Sequence, residues 1–339
     1  MARERQTENE KSRRPNSESD PLGRRRYLQG IGTTSAAVVG IGTTGVASAT
    51  EYETITVGTG DHRVVSLGAG ETLENTVIDV TADGASATID AHEPNTTIRN
   101  VGFEGRMDSP PTGIMGVTEP ENGTSTVENV YLGDGASAGH RHGLGLWVSP
   151  EHSGHLVIDG VNIQEMGDNS FYCSAPGSKG GGTVELRNCY SANSWVAHYR
   201  LAKGTVENCV ALNDDRHKDG RGIWAWAPGT VDVRDCDLDM NGRHYAIAAG
   251  ANGASTTIEG TDVRFDTGFH GGLKRANGST ISIDGETDDP DGSRIPDGCP
   301  TGAAEAASGR TARGNESATS DTDESSTDGW LSDWDFWTV

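Results

Sequence analysis

The sequence predicts an all-β protein, a parallel solenoid of roughly 8–10 rungs. Segments such as TIRNVGF, TVENVYL, GTVENCVA and VDVRDCDL recur along the chain, and each places an aliphatic residue two positions before a pivot. The pivots are Asn100, Asn129, Gly160, Asn188, Asn208, Asp235 and Gly260. Successive pivots follow each other at intervals typical of a solenoid, a propeller or another repeat array.

The residue type at the pivot favours the solenoid. Asn, Asp and Gly tolerate a left-handed backbone conformation, and one such residue between two strands turns the chain sharply. The parity of the apolar positions also changes there, because Val206 precedes Asn208 by two while Cys209 follows it by one. A continuous strand would keep its parity. Helical repeats are excluded because no 3.6-residue period is present.

Short strands that pivot on Asn, with rungs of this length, resemble the single-stranded right-handed parallel β-helix of the pectate-lyase-like superfamily. The resemblance covers roughly residues 54–284. It implies a right-handed coil. Proteins with this fold are mostly polysaccharide lyases and glycosidases, and others are phage tailspikes, adhesins and surface proteins.

The composition indicates an acidic surface that is poor in lysine. The 339 residues carry a formal net charge of −23, and only 5 of the 27 basic residues are lysine. Dense carboxylates with few lysines are what adaptation to concentrated salt would produce, because salt screens their mutual repulsion. An acidic binding function is the alternative. Outside the first residues there is no basic stripe, so nucleic acid is not an expected partner.

Residues 1–49 read as an export signal. The stretch RRRYLQ precedes a weakly apolar run rich in Gly, Ala and Thr, and ASA follows at residues 47–49. This order resembles a twin-arginine signal. The apolar run is too short and polar for a membrane span. We therefore predict an extracellular or cell-surface protein, exported in the folded state, whose mature chain has no transmembrane segment.

Residues 285–339 differ from the repeats. They are acidic and rich in Ser, Thr and Gly, so we predict a disordered low-complexity tail after a solenoid over residues 50–284. Near its end, Trp330, Trp334 and Trp337 are spaced as on one face of a helix. Docking to another surface and folding back onto the main domain are both open for this segment.

Three cysteines occupy the position after a pivot, which earlier rungs fill with valine. These residues are Cys189, Cys209 and Cys236. Their spacing does not match a metal site, and parallel side chains are poorly aimed for a disulfide. We predict buried free thiols that act as small hydrophobic residues.

A second strand follows each pivot and turn, and it shows an apolar face and a mixed face. The opposite parity to the apolar one carries Trp147, Tyr172, His198, Arg200, Trp224, Trp226 and, further along, Lys274. Burying this set would place charged groups in the interior, so the aromatic residues should face outward. Aromatic rings and arginine suit an anionic sugar polymer. The alternative is that the chain's own tail or a loop covers this face.

The loops that lead into these strands supply further candidates, with His142 and His244 as additional binding residues. For a lyase on uronic acids, His198, Arg200 and Arg221 are the candidate base and cationic groups. For a hydrolase, Asp214 and Asp215 are the candidate carboxylate pair. Asp214, Asp215 and Asp219 form a possible Ca²⁺ site. For any one of these loop residues, plain solvation on an acidic surface is the competing explanation.

Two hypotheses follow. The first is a secreted or surface β-helix that binds a polysaccharide or cell-surface glycan, which we expect to be anionic, with lyase or hydrolase activity open. The second is a non-catalytic, adhesin-like structural β-helix.

Overall fold

The computed structural model describes residues 52–137, 142–215, 217–226, 228–251, 253–285 and 288–309. All of them belong to one compact unit. The predicted export signal and the terminal tryptophans lie outside the described residues. Within those ranges, no helix is long and apolar enough to cross a membrane.

Strands are the main regular secondary structure of the described chain. The strands in chain order are β1 Glu53–Thr56, β2 His62–Ser66, β3 Thr72–Asp79, β4 Ser86–Ala91, β5 Thr97–Glu104, β6 Gly113–Val117, β7 Thr124–Leu132, β8 Leu144–Val148, β9 His155–Gln164, β10 Phe171–Cys173, β11 Thr183–Arg187, β12 Tyr190–Ala192, β13 Ala197–Leu201, β14 Gly204–Glu207, β15 Val210–Leu212, β16 Arg221–Ala225, β17 Thr230–Arg234, β18 Asp237–Asp239, β19 Ile247–Ala249, β20 Thr257–Thr261, β21 Arg264–Phe265, β22 Leu273–Arg275 and β23 Thr280–Asp284. The one α-helix, α1, covers Ala303–Ala307.

The strands form two parallel sheets in a solenoid of about nine turns, which confirms the predicted fold class. The first sheet has the order β1-β3-β5-β7-β9-β11-β14-β17-β20-β23, with the short strands β12, β15, β18 and β21 beside it. The second sheet has the order β2-β4-β6-β8-β10-β13-β16-β19-β22. Each rung therefore contributes one strand to each sheet, and neighbouring rungs lie about 4.8 Å apart.

The pivots adopt the left-handed conformation as predicted, with one correction. Asn100, Asn129, Gly160, Asn188, Asn208 and Asp235 have φ between 48° and 62°. In the last predicted repeat the left-handed residue is Asp262, with φ 54°, and not Gly260. Gly260 pairs with Val233 inside the sheet. Because of the glycine in the segment TTIEGTDV, the sequence alignment placed this pivot two residues too early.

Stacked pivot side chains bond along the axis. The Nδ2 group of Asn129 donates to Oδ1 of Asn100 at 2.8 Å, and Asn100 donates in turn to Asn75 at 2.8 Å. A second run joins Asn208 to Asn188 at 2.8 Å and Asn188 to Asp159 at 2.7 Å. Each Asn side-chain amide thus donates to a side-chain oxygen of the neighbouring rung, while its own backbone bends the chain between two strands.

The interior is a single apolar column. Cys189, Cys209 and Cys236 are fully buried in it as free thiols, as predicted, and Cys173 is also free and buried. Phe171 and Tyr199 stack with ring centroids 5.2 Å apart. The hydroxyl of Tyr199 donates to the backbone oxygens of the first sheet, so the one polar atom of this pair is satisfied.

Residues 288–309, called the strap below, pack against the outer face of the first sheet. Arg294 donates to the buried carboxylate of Asp237 at 2.8 Å, and Cys299 packs with Tyr190 and Val210. Helix α1 packs on β3, β5 and β7. Residues 288–309 of the predicted tail are therefore packed on the solenoid. The rest of the predicted tail lies outside the described residues.

Candidate functional site

The predicted aromatic row lies on the outward face of the second sheet. Register pairs connect Trp147 with Tyr172, Tyr172 with Arg200, and Arg200 with Trp224, each on the next rung. Trp224 then pairs with Ala248 and Ala248 with Lys274. Trp147, Tyr172 and Trp224 are all half-buried. The row is therefore a column along the solenoid axis, one residue per rung.

Arg200 is the centre of this column. Its guanidinium carbon lies 3.6 Å from the Trp226 ring centroid, 4.1 Å from that of Tyr172 and 4.9 Å from that of Trp224. Only 8% of the residue is exposed. Burial lowers the pKa of its guanidinium to about 10, so it stays charged at neutral pH.

The hydrogen bonds of Arg200 are incomplete. Among the described residues, its side chain makes one hydrogen bond, from Nη2 to the hydroxyl of Tyr172 at 3.2 Å. Its Nε atom is buried without a partner. The charge of Asp168 acts on this guanidinium, yet a buried N–H group without a partner remains costly.

A hollow of about 790 Å³ lies along the face on one side of Arg200. Its walls include the rings of Trp147 and Tyr172 and the aliphatic side chains of Val64, Leu144 and Val196. Its ionisable lining comprises His62, Asp90, His92, Asp168 and Arg200. The hollow thus runs from the first rung to the Arg200 rung and is mainly apolar between its ends.

A smaller hollow of about 240 Å³ lies on the other side of the Arg200 rung. Arg221, Trp224, Trp226 and Lys274 line it. The Arg221 guanidinium lies 4.1 Å from the Trp224 ring centroid, and the Lys274 ammonium lies 5.4 Å from the Tyr245 ring centroid. This end of the face is cationic and aromatic.

His244 stands near these cations. Burial and the charge of Arg221 lower the pKa of His244 to about 4, so its imidazole is neutral at pH 7. Its Nδ1 atom accepts a hydrogen bond from the Tyr245 N–H at 2.7 Å. The exposed residue His142 precedes β8 and lines neither hollow.

The prediction that His198 faces outward is wrong. His198 is fully buried, and its ring nitrogens lie 2.7 Å from the Ser191 hydroxyl and 2.9 Å from Oδ1 of Asn213. The cause is a second change of parity, at the point where the chain of a rung enters the second sheet. At this corner Ala246 and Ile247 of another rung are both in the core, and a Cβ at Gly222 would lie 3.4 Å from the buried Met240 sulfur.

The acidic loop residues do not join Arg200 in either hollow. Asp214 accepts a hydrogen bond from the Asn193 side chain at 2.6 Å, and the amides of Asp214 and Asp215 both donate to that side chain. Asp219 is exposed and lines neither hollow. Within the part of the chain that the structure describes, no group of three or more His, Cys, Asp or Glu residues could hold a metal ion.

Lys218 explains why this loop is ordered. Its ammonium is buried and donates to the backbone oxygen of Glu165 at 2.5 Å, to the Glu165 carboxylate at 3.0 Å and to the backbone oxygen of Ala136 at 3.2 Å. The charges in this loop thus tie rungs together, and Arg221 begins the strand that follows.

The sequence analysis missed Asp90 and His92, which line the larger hollow, and it gave no role to Asp168, a loop residue that lines the same hollow. The His92 and Trp147 rings meet edge to face at 5.6 Å. The alignment of second strands began only at β8, so the outward residues of β2, β4 and β6 were not considered. The alternating segment SATIDA was the available signal.

The fold and this face define an all-β parallel solenoid with an outward aromatic and cationic column. A comparison with family models, curated proteins and solved structures finds no match.

Proposed function

We propose that this solenoid binds an anionic polysaccharide along the outward face of its second sheet. The observation that carries the proposal is Arg200, a largely buried cation that lies between aromatic rings and whose Nε atom has no hydrogen-bond partner among the described residues. Aromatic faces pack on sugar rings, and a guanidinium binds a carboxylate or sulfate through two parallel hydrogen bonds.

Binding is better supported than catalysis. A hydrolase needs two carboxylates about 5–9.5 Å apart across the scissile bond, and the candidate pair Asp214 and Asp215 lines neither hollow. Asp168 favours a catalytic variant of the proposal, since its charge acts on Arg200 in the same hollow. The twin-arginine-like segment in residues 24–49 supports export, and we propose an extracellular or cell-surface location.

The test is a panel of polymers that are carboxylated, sulfated or neutral, with binding and the absorbance of unsaturated products both measured. Carboxylated or sulfated chains should bind and neutral ones should not. Arg200→Gln should weaken that binding 10- to 100-fold, the effect of losing hydrogen bonds to a charged group.

The matched control is Arg99→Gln, which removes an exposed arginine paired with Glu74 on the first sheet. It should bind like the unaltered chain. Equal binding by Arg200→Gln, or equal binding of neutral polymers, would rule out the proposed site.

A further inference from the structure

We propose that the segment Trp330–Trp337 of this same chain docks in the larger hollow and competes with the polysaccharide there. The docking stands on the observations below. The competition rests on the proposed function.

The strap ends beside a rung that the larger hollow also spans. Gly309 lies beside the pivot Asn100, because a Cβ on that glycine would be 3.1 Å from the Asn100 amide nitrogen. Asn100 belongs to β5, on the third rung. The larger hollow extends from Val64 on the first rung to Arg200 on the sixth. The strap therefore ends level with the middle of the hollow, on the opposite sheet.

The sequence between Gly309 and Trp330 is long enough to reach around the solenoid. The chain itself passes from Asn100 to Gly116, on the hollow's wall, in 16 residues. Residues 310–329 could extend to about 66 Å, whereas 16 extended residues span about 53 Å. No displacement of the strap is needed.

The larger hollow has the chemistry that this segment would fit. Val64 is 45% exposed, and with Leu144 and Val196 it presents aliphatic surface without hydrogen-bonding groups. Indole rings cover such surface well and also stack on Trp147 and Tyr172.

The charges are complementary as well. In the sequence LSDWDFW, Asp333 and Asp335 flank Trp334. An indole docked beside Tyr172 would bring a second carboxylate, besides that of Asp168, to the Arg200 end of the hollow, where the guanidinium has a buried Nε without a hydrogen-bond partner.

Tethering makes even a weak contact effective. A connection of this length holds the segment at an effective concentration on the order of 1 mM. If the free segment bound with a dissociation constant on the order of 0.1 mM, an external ligand would bind about tenfold more weakly than to an open hollow. The docked tail would thus raise the polysaccharide concentration that is needed to fill the hollow.

Docking can be tested in the full chain with engineered cysteines, because all five native cysteines are buried. Thr88, half-buried in the wall of the hollow, is changed in the pair Thr88→Cys with Ser332→Cys. The matched control pairs Ser332→Cys with Lys203→Cys, on an exposed turn. Under mild oxidation, peptide mapping should find at least tenfold more disulfide in the first pair.

Adding Trp334→Ala and Trp337→Ala should abolish that preference. Equal disulfide in the two pairs, or more in the control, overturns the docking. So does a preference that persists without the tryptophans.

Competition is tested separately with the full chain carrying Trp330→Ala, Trp334→Ala and Trp337→Ala. It should bind the anionic polymer about tenfold more tightly than the unaltered chain. Unchanged affinity overturns the competition. If neither chain binds any polymer, the proposed function fails, and the disulfide preference still decides whether the segment docks.

Discussion

His198 shows how one buried side chain makes the protein sensitive to acid. Its ring is enclosed by Ser191 and Asn213, and Asn213 in turn donates to the backbone oxygen of Gly220 at 2.8 Å. Burial lowers the pKa of His198 to about 4. The pKa values of His152 and His244 are lowered by burial as well. All three imidazoles therefore oppose protonation in the folded state.

We predict that the free energy of unfolding falls as the pH drops from 6.5 to 4. In that window the unfolded chain binds a proton at His198 that the folded chain excludes, so acid favours unfolding. His198 alone accounts for up to about 3 kcal/mol of the loss at pH 4. Urea unfolding at a series of pH values measures it.

The informative variant is His198→Gln, which keeps amide hydrogen bonds but does not titrate. It should flatten the dependence on pH, while His217→Gln, at an exposed position, should leave it unchanged. An identical slope for His198→Gln and the unaltered chain would show that the buried ring does not control acid stability.

At the scale of the elements, the pivots carry most of the information on the fold. Asn188 combines a φ of 51° with two side-chain hydrogen bonds, one to Asp159 and one from Asn208. Asn is the residue that offers both a tolerance for this conformation and a donor with an acceptor. The pivot therefore fixes the bend and the stacking of rungs together.

We predict that Asn188→Ala lowers the free energy of unfolding by about 2–4 kcal/mol, because it loses both hydrogen bonds and strains the left-handed backbone. Asn188→Gly loses the same hydrogen bonds without the strain and should cost about 1 kcal/mol less. Denaturant unfolding of both variants measures the difference. Equal losses would mean that the left-handed conformation adds nothing to the choice of residue.

These elements also show what the sequence could and could not predict. The pivots other than Gly260, the inward cysteines and the outward tryptophans follow from parity, and they were correct. His198 was misplaced because the second parity change depends on small residues such as Gly222 and Ala246. Such residues are neither clearly apolar nor clearly polar, so the sequence shows no hydrophobic pattern at this point. Asp168 was given no role because its place beside Arg200 arises from the stacking of different rungs.

At the scale of the whole molecule, the strap was not predicted because it buries few apolar residues. Its contacts depend on shape: a Cβ on Gly102 would lie 2.1 Å from the Ala303 backbone oxygen, and one on Gly160 would lie 2.7 Å from that of Gly298. Polar contacts complete it, such as Asn162 to the Pro300 oxygen at 2.8 Å and Asn129 to the Ala306 oxygen at 3.0 Å.

We predict that Gly102→Ala displaces α1 and lowers the free energy of unfolding by about 1–3 kcal/mol, as overpacking does. Hydrogen exchange at the amides of Ala306, Ser308 and Gly309 should become faster, since these amides bond within α1. Gly302→Ala is the control, because a Cβ there meets nothing within 4 Å. Unchanged exchange in Gly102→Ala would show that the helix tolerates the methyl group by a local shift.

The strap also changes the order in which the protein can be completed. In a simple solenoid each rung depends only on its neighbours, so stability spreads from rung to rung and the ends fray first. Here residues 291–306 contact rungs from β3 to β18, which couples turns that otherwise never meet. Unfolding should therefore be cooperative across these rungs. During synthesis, the outer face of the early rungs is covered only after residues nearly 200 positions later have been made.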